Sequence, residues 1–161
     1  MKKAIISGML VISLLLGGVS SVGVVTVEAK TTQKVKSNKK AIKKCVQDLY
    51  GVFDSNLSKI VAALEKEDYA EAIKICDKAI TSLNKIKNNI KAEVKKTKDK
   101  KELQVLADTQ KGCDNLISYF ALSKKGLNLQ TEDPKIIQAI EKSATLAGEY
   151  ISKALVATKK W

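Results

Sequence analysis

Tyr69, Ala72, Cys76, Ala79, Leu83, Ile86 and Ile90 recur at alternating steps of three and four residues. That spacing is the a/d seam of an α-helix sustained over about three heptads, and no strand has such a period. It predicts a helix over about 68–96. Upstream, Ile42, Cys45, Val46, Leu49, Val52, Phe53, Leu57, Ile60, Val61 and Leu64 form one wide stripe and predict a helix over about 38–66. Downstream, Ile137, Ile140, Ala144, Ala147, Ile151, Ala154 and Thr158 repeat the alternation, and the alanines among them let a neighbouring backbone come close. Between these lies a weaker pattern: Leu103, Leu106, Cys113, Leu116, Ile117, Phe120 and Leu127, with Gln110 and Lys124 at two seam positions and Gly112 inside. No segment has a period of two bounded by turn signals. The expected fold class is therefore all-α, an antiparallel up-down-up-down four-helix bundle occupying residues 38–161.

The joints between these stripes have their own chemistry. Asp99 followed by Glu102 has the spacing of a capping box, which opens the third helix. Gly126 with Leu127 behind it predicts a Schellman-type stop, and Asp133-Pro134 is an N-cap followed by Pro at the first helical position. At the first joint, Asp68-Tyr69-x-x-Ala72-x-x-x-Cys76-x-x-Ala79 resembles the turn and second helix of a tetratricopeptide repeat. The preceding helix lacks the repeat's Trp, Gly and Tyr positions, and nothing similar recurs about 34 residues on. The resemblance implies a helical-hairpin turn and not a peptide-binding array.

Residues 1–29 are of another kind. Lys2 and Lys3 precede an apolar run from Ala4 to Val25 that ends at Val27-Glu28-Ala29. A basic start, an apolar middle and a small-residue exit make a secretory signal peptide. It is expected to be cleaved near Lys30 or, being just over the roughly 20 residues that span a bilayer, to be retained as an anchor. Residues 30–37 are polar and basic with one apolar side chain, and read as a flexible basic arm. The expected location is secreted or extracytoplasmic. Without the signal about 130 residues remain, enough for one domain and too few for two.

All 29 basic residues are Lys; there is no Arg and no His, and 17 acids leave the chain at +12. Without His there is no imidazole base and no His metal ligand. Ser and Thr have no triad partner, so no catalytic residue is expected. Without Arg there is no bidentate fork for guanine or phosphate, which argues against sequence-specific nucleic-acid reading. No cofactor or metal is expected.

Cysteine is odd in number: Cys45, Cys76 and Cys113. No C-x-x-C occurs, and no Cys sits where a lipoprotein signal would need one. At about 1.5 Å per residue from each turn, the three lie at heights of about 34, 13 and 24 Å in the predicted bundle. A disulfide needs Cα atoms within about 7 Å, which excludes Cys45–Cys76 in unbroken helices and allows a bridge to Cys113 only with a register shift of several residues, so three buried free thiols are expected.

Folding the charge onto the bundle gives it direction. The start of the first helix, the second turn and the chain's last residues share one end in the predicted topology. There lie Lys36, Lys39, Lys40, Lys43, Lys44, Lys95, Lys96, Lys98, Lys100, Lys101, Lys159 and Lys160. The opposite end gathers Glu65, Glu67, Asp68, Glu71, Glu132 and Asp133. Outside a cell, polyanions available to such an end are anionic lipid head groups, teichoic-acid-like wall polymer and released nucleic acid, and lysines near a charged leaflet contribute about 1 kcal/mol each. The expected function is thus non-catalytic association with the cell envelope through the lysine-rich end. The alternative is a secreted protein-binding module (inhibitor, adhesin or effector) working through an exposed helical face, which would leave an apolar patch on the surface.

Overall fold

The computed structural model describes Ile5 and residues 38–161. The predicted signal, apart from Ile5, and the basic arm with Lys36 lie outside the described residues. Four helices follow one another: α1 Lys39–Glu65, α2 Tyr69–Val94, α3 Lys100–Leu129 and α4 Pro134–Thr158. No strand occurs among the described residues. Each helix packs on the next, most closely α3 on α4, and α1 also touches α3 and α4.

The expected stripes become the core. In α2 the seam from Ala72 to Ile90 is buried, and α4 buries Ile140, Ala144, Ala147, Gly148, Ile151, Ala154 and Thr158. The small residues of α4 do what close packing requires. A Cβ placed on Gly112 of α3 would lie 3.1 Å from both Ile151 Cγ1 and Leu49 Cδ2, so α1, α3 and α4 meet at a point that only glycine leaves unstrained.

In α3 the expected Leu106, Cys113, Leu116, Phe120 and Leu127 are buried, Leu103 and Ile117 only partly, and the seam takes in residues that the apolar pattern does not mark. The buried line runs through Glu102, Val105, Leu106, Thr109, Gly112, Cys113, Leu116, Tyr119, Phe120, Ser123, Gly126 and Leu127. Thr109 and Ser123 take the inward positions expected of Gln110 and Lys124, one residue earlier in each case. Thr109 is tolerated there because its hydroxyl donates to the Val105 carbonyl, 2.6 Å away on its own helix. Lys124 instead reaches across to the Asp77 carboxylate at 2.7 Å.

The helix stops also differ from expectation in one respect. α3 does not end at Gly126 but runs on to Leu129, and Gln130 takes the left-handed conformation with φ 46°. Thr131 N–H then donates to the Gly126 carbonyl and Gln130 N–H to the Leu127 carbonyl, both at 3.3 Å. This is a full Schellman motif with glycine at its inner position and Gln at the left-handed one. α1 ends the same way: Glu67 has φ 57°, Asp68 N–H donates to the Ala63 carbonyl at 2.9 Å and Glu67 N–H to the Leu64 carbonyl at 3.2 Å. A side chain at such a position costs about 1 kcal/mol that glycine does not incur. Glu67→Gly and Gln130→Gly are each expected to stabilise the bundle by about 0.5–1 kcal/mol, read as a higher urea midpoint with unchanged slope. Lower midpoints would show that the two side chains make compensating contacts.

The N-caps follow the sequence closely. Asp68 accepts from Glu71 N–H, Asp99 from Lys101 and Glu102 N–H, and Asp133 from Lys135 N–H, with Pro134 in the first turn. The box at α3 closes differently. The Glu102 carboxylate accepts from the Thr97 hydroxyl, and Asp99 N–H donates to that hydroxyl at 3.3 Å, so Thr97 relays the closure.

Candidate polyanion-binding end

The turn between α2 and α3, the first residues of α1 and the chain terminus meet in one place. Lys39, Lys98, Asp99, Lys100, Lys101, Glu102 and Trp161 line an open cavity of about 550 Å³. Beside it, Asn38, Lys40, Ala41, Lys43, Lys44 and Gln47 line a shallower depression of about 520 Å³. Trp161 ties the elements together. It is half-buried against the core, the Lys39 ammonium sits 5.8 Å from its ring centre, and Lys43 Nζ donates to its backbone carbonyl at 3.5 Å. Its ring is thus folded back onto the bundle.

The carboxylates in this cavity are occupied by the protein itself. The Glu102 N–H, and after it the Lys101 N–H and the charges of Lys39 and Lys101, hold the Asp99 carboxyl below its usual range. Glu102 is buried and accepts from Thr97. Among the described residues, Lys98, Lys100 and Lys101 enter no ion pair. All three are exposed.

The twelve lysines expected at this end thus divide. Lys39, Lys98, Lys100 and Lys101 converge on the cavity and Lys40, Lys43 and Lys44 on the adjoining depression. Lys44 is paired with Asp48 at 2.9 Å, and Lys96 with the buried Glu93 at 2.7 Å, which neutralises an acid lying at the unfavourable end of α2. Lys95, Lys159 and Lys160 are exposed and line neither depression. Lys36 lies outside the described residues. The sequence places Trp161 at this end, beside Lys159 and Lys160, but not its contacts with Lys39 and Lys43; Thr97 is recognisable only as a hydroxyl two positions before an N-cap.

The three cysteines are free and buried. Burial pushes the Cys76 and Cys113 thiols up to about 12; Cys45 is raised as well, by burial first and then by Glu93 and Asp48. Because the folded values exceed the unfolded ones, the thiols support the fold below about pH 9 and withdraw that support as pH rises from there toward 12. In a thiol titration with an aromatic disulfide at pH 8, the native protein is expected to react negligibly and the denatured protein at all three positions. Rapid native reaction would show a looser core. Among the described residues no cluster of three His, Cys, Asp or Glu is placed to hold a metal, and no helix is long and apolar enough to cross a membrane.

Comparison with models of protein families, with curated proteins and with solved structures finds no match for this chain.

Proposed function

We propose that the chain is an exported, non-catalytic helical bundle that associates with anionic surfaces of the cell envelope, lipid head groups or wall polymer, through its lysine-rich end. In this reading residues 1–29 are the export signal, residues 30–37 a basic arm, and the helices alternate up-down-up-down. The arm then leaves the bundle from the end that carries the cavity. The observation that carries the proposal is the cavity itself: four lysines from two elements converge on it, while its two carboxylates are engaged by backbone N–H groups and by Thr97. An anion arriving there meets four ammonium groups against two carboxylates, so positive charge prevails.

The protein-binding alternative calls for a continuous apolar face. The large apolar side chains most exposed among the described residues are Tyr50, Val94, Leu129 and Val156, one on each helix, an arrangement that favours the first reading.

The test is retention of the processed chain on anionic vesicles, neutral vesicles and isolated walls at low and high salt. The expected outcome is binding to anionic surfaces only, released as salt screens the lysines over a Debye length that shrinks from about 10 Å at 0.1 M to about 3 Å at 1 M. Absence of retention, or retention indifferent to salt, would overturn the proposal.

A further inference from the structure

Tyr119 is fully buried on α3, and its hydroxyl is the one polar group of that core face whose partner comes from far away in sequence. It donates to the backbone carbonyl of Ile5 at 3.0 Å. Ile5 is helical and itself fully buried, counted in the same core as Leu116 and Phe120. The other buried hydroxyls with partners find them close by: Thr109 on Val105, Thr158 on Ala154, and Thr97 on Glu102. A tyrosine hydroxyl at the tip of a rigid ring cannot turn back to its own helix in this way, so burying it requires an acceptor supplied by another segment.

A second polar atom stands in the same wall. Ser123, one turn on from Tyr119, is 1% exposed and its hydroxyl has no hydrogen-bond partner among the described residues. It lies close enough to favour the ionised form of Tyr119, without the geometry of a proper hydrogen bond. Around the two hydroxyls the surroundings are apolar: the Phe120 ring packs edge-on to Tyr119 at 5.2 Å, and burial drives the Tyr119 phenol well above its ordinary value. A pair of hydroxyls in an apolar wall, one of them unmatched, is how a protein orients a small apolar group that carries a polar handle.

We propose that α3 carries a binding slot, walled by Tyr119 and Ser123, for an apolar residue presenting a backbone carbonyl, and that in the unprocessed chain Ile5 fills this slot in cis. The sequence gives Ile5 a second role at the same time, since it stands in the apolar run read as the export signal. The slot and the export machinery therefore compete for the same residue. Removal of the segment near Lys30 takes the occupant away and leaves a site suited to an apolar peptide. The slot itself is independent of the basic end, while its emptying on processing rests on the export reading proposed above.

The test uses the unprocessed full chain with isotope-labelled isoleucine methyl groups. The expected result is a nuclear Overhauser contact between the Ile5 methyl and the Tyr119 ring, assigned by loss of the labelled methyl signal in Ile5→Val. An Ile5 methyl with unstructured shifts and no such contact would overturn the proposal. In the same full chain, Ile5→Asp is expected to expose Tyr119, so that its phenol titrates near the ordinary 10. Adding the synthetic decapeptide of residues 1–10 should then protect it again, with the Ile5→Asp decapeptide about tenfold weaker or worse. A Tyr119 that stays buried in Ile5→Asp, or a wild-type decapeptide that fails to protect it, would show that Ile5 packs there without a slot that takes a ligand.

Discussion

Replacing Lys98, Lys100 and Lys101 together by Gln is expected to weaken binding to an anionic surface by roughly 100-fold, at about 1 kcal/mol for each lysine held near the charge. The three are exposed and enter no ion pair among the described residues, so their loss should leave the unfolding midpoint close to that of the parent. The Asp99 cap that opens α3 uses backbone N–H groups of the neighbouring positions and survives the change. A second triple, Lys66, Lys125 and Lys135 to Gln, removes the same charge from exposed positions toward the other end. It should cost less than about threefold, since charges more than a Debye length from the surface are screened. Cosedimentation with vesicles at fixed ionic strength compares the two directly. Equal losses would mean that total charge governs association and that no particular end docks.

Gly112→Leu is expected to destabilise the bundle by about 3 kcal/mol, lowering the thermal midpoint by about 10 °C for a domain of this size. The first added carbon already meets Ile151 and Leu49 at 3.1 Å, with the Ile151 backbone nitrogen at 3.7 Å behind them, so the rest of the side chain has nowhere to go without parting α3 from α4. Gly112→Ala should land near zero, because the roughly 1 kcal/mol of helix propensity it gains is offset by the squeeze on those two side chains. Combining Gly112→Leu with Ile151→Ala should recover part of the loss by returning volume to the same spot. A Gly112→Leu protein as stable as the parent in urea would show that the three helices approach less closely than they do here.

Most of the architecture could be read from the residues. The seams of α2 and α4 are legible because their inward positions, apart from Glu93, Gly148 and Thr158, are filled by aliphatic side chains, alanines and a cysteine, which have no reason to recur at steps of three and four except to be covered. α3 was harder because its inward line includes Glu102, Thr109, Gly112, Ser123 and Gly126, residues whose polarity or lack of a side chain carries no hydrophobic signal. A short hydroxyl that bonds back to its own helix goes inside at little cost, while hydropathy counts it as surface. Tyr119 was missed for a related reason: it becomes buried only with an acceptor 114 residues distant, Ile5, which no local pattern announces. At the basic end the lysines were legible one by one. What separates Lys98, Lys100 and Lys101 from Lys44 and Lys96 is pairing with Asp48 and Glu93, and that depends on side-chain reach between neighbouring turns.

Trp161 beside Lys39 and Lys43 brings the beginning and the end of the bundle to one spot. That fixes how the molecule answers to a mechanical load. A pull applied between those two points does not drag all four helices past one another at once. It peels α1 or α4 away from its neighbours turn by turn, breaking a few contacts at a time, and so opens the bundle at low force. The same four helices pulled between α1's first turn and the joint after α3 would be sheared along their lengths and would resist far more strongly. Loaded between its beginning and its end, the bundle would thus act as a soft link.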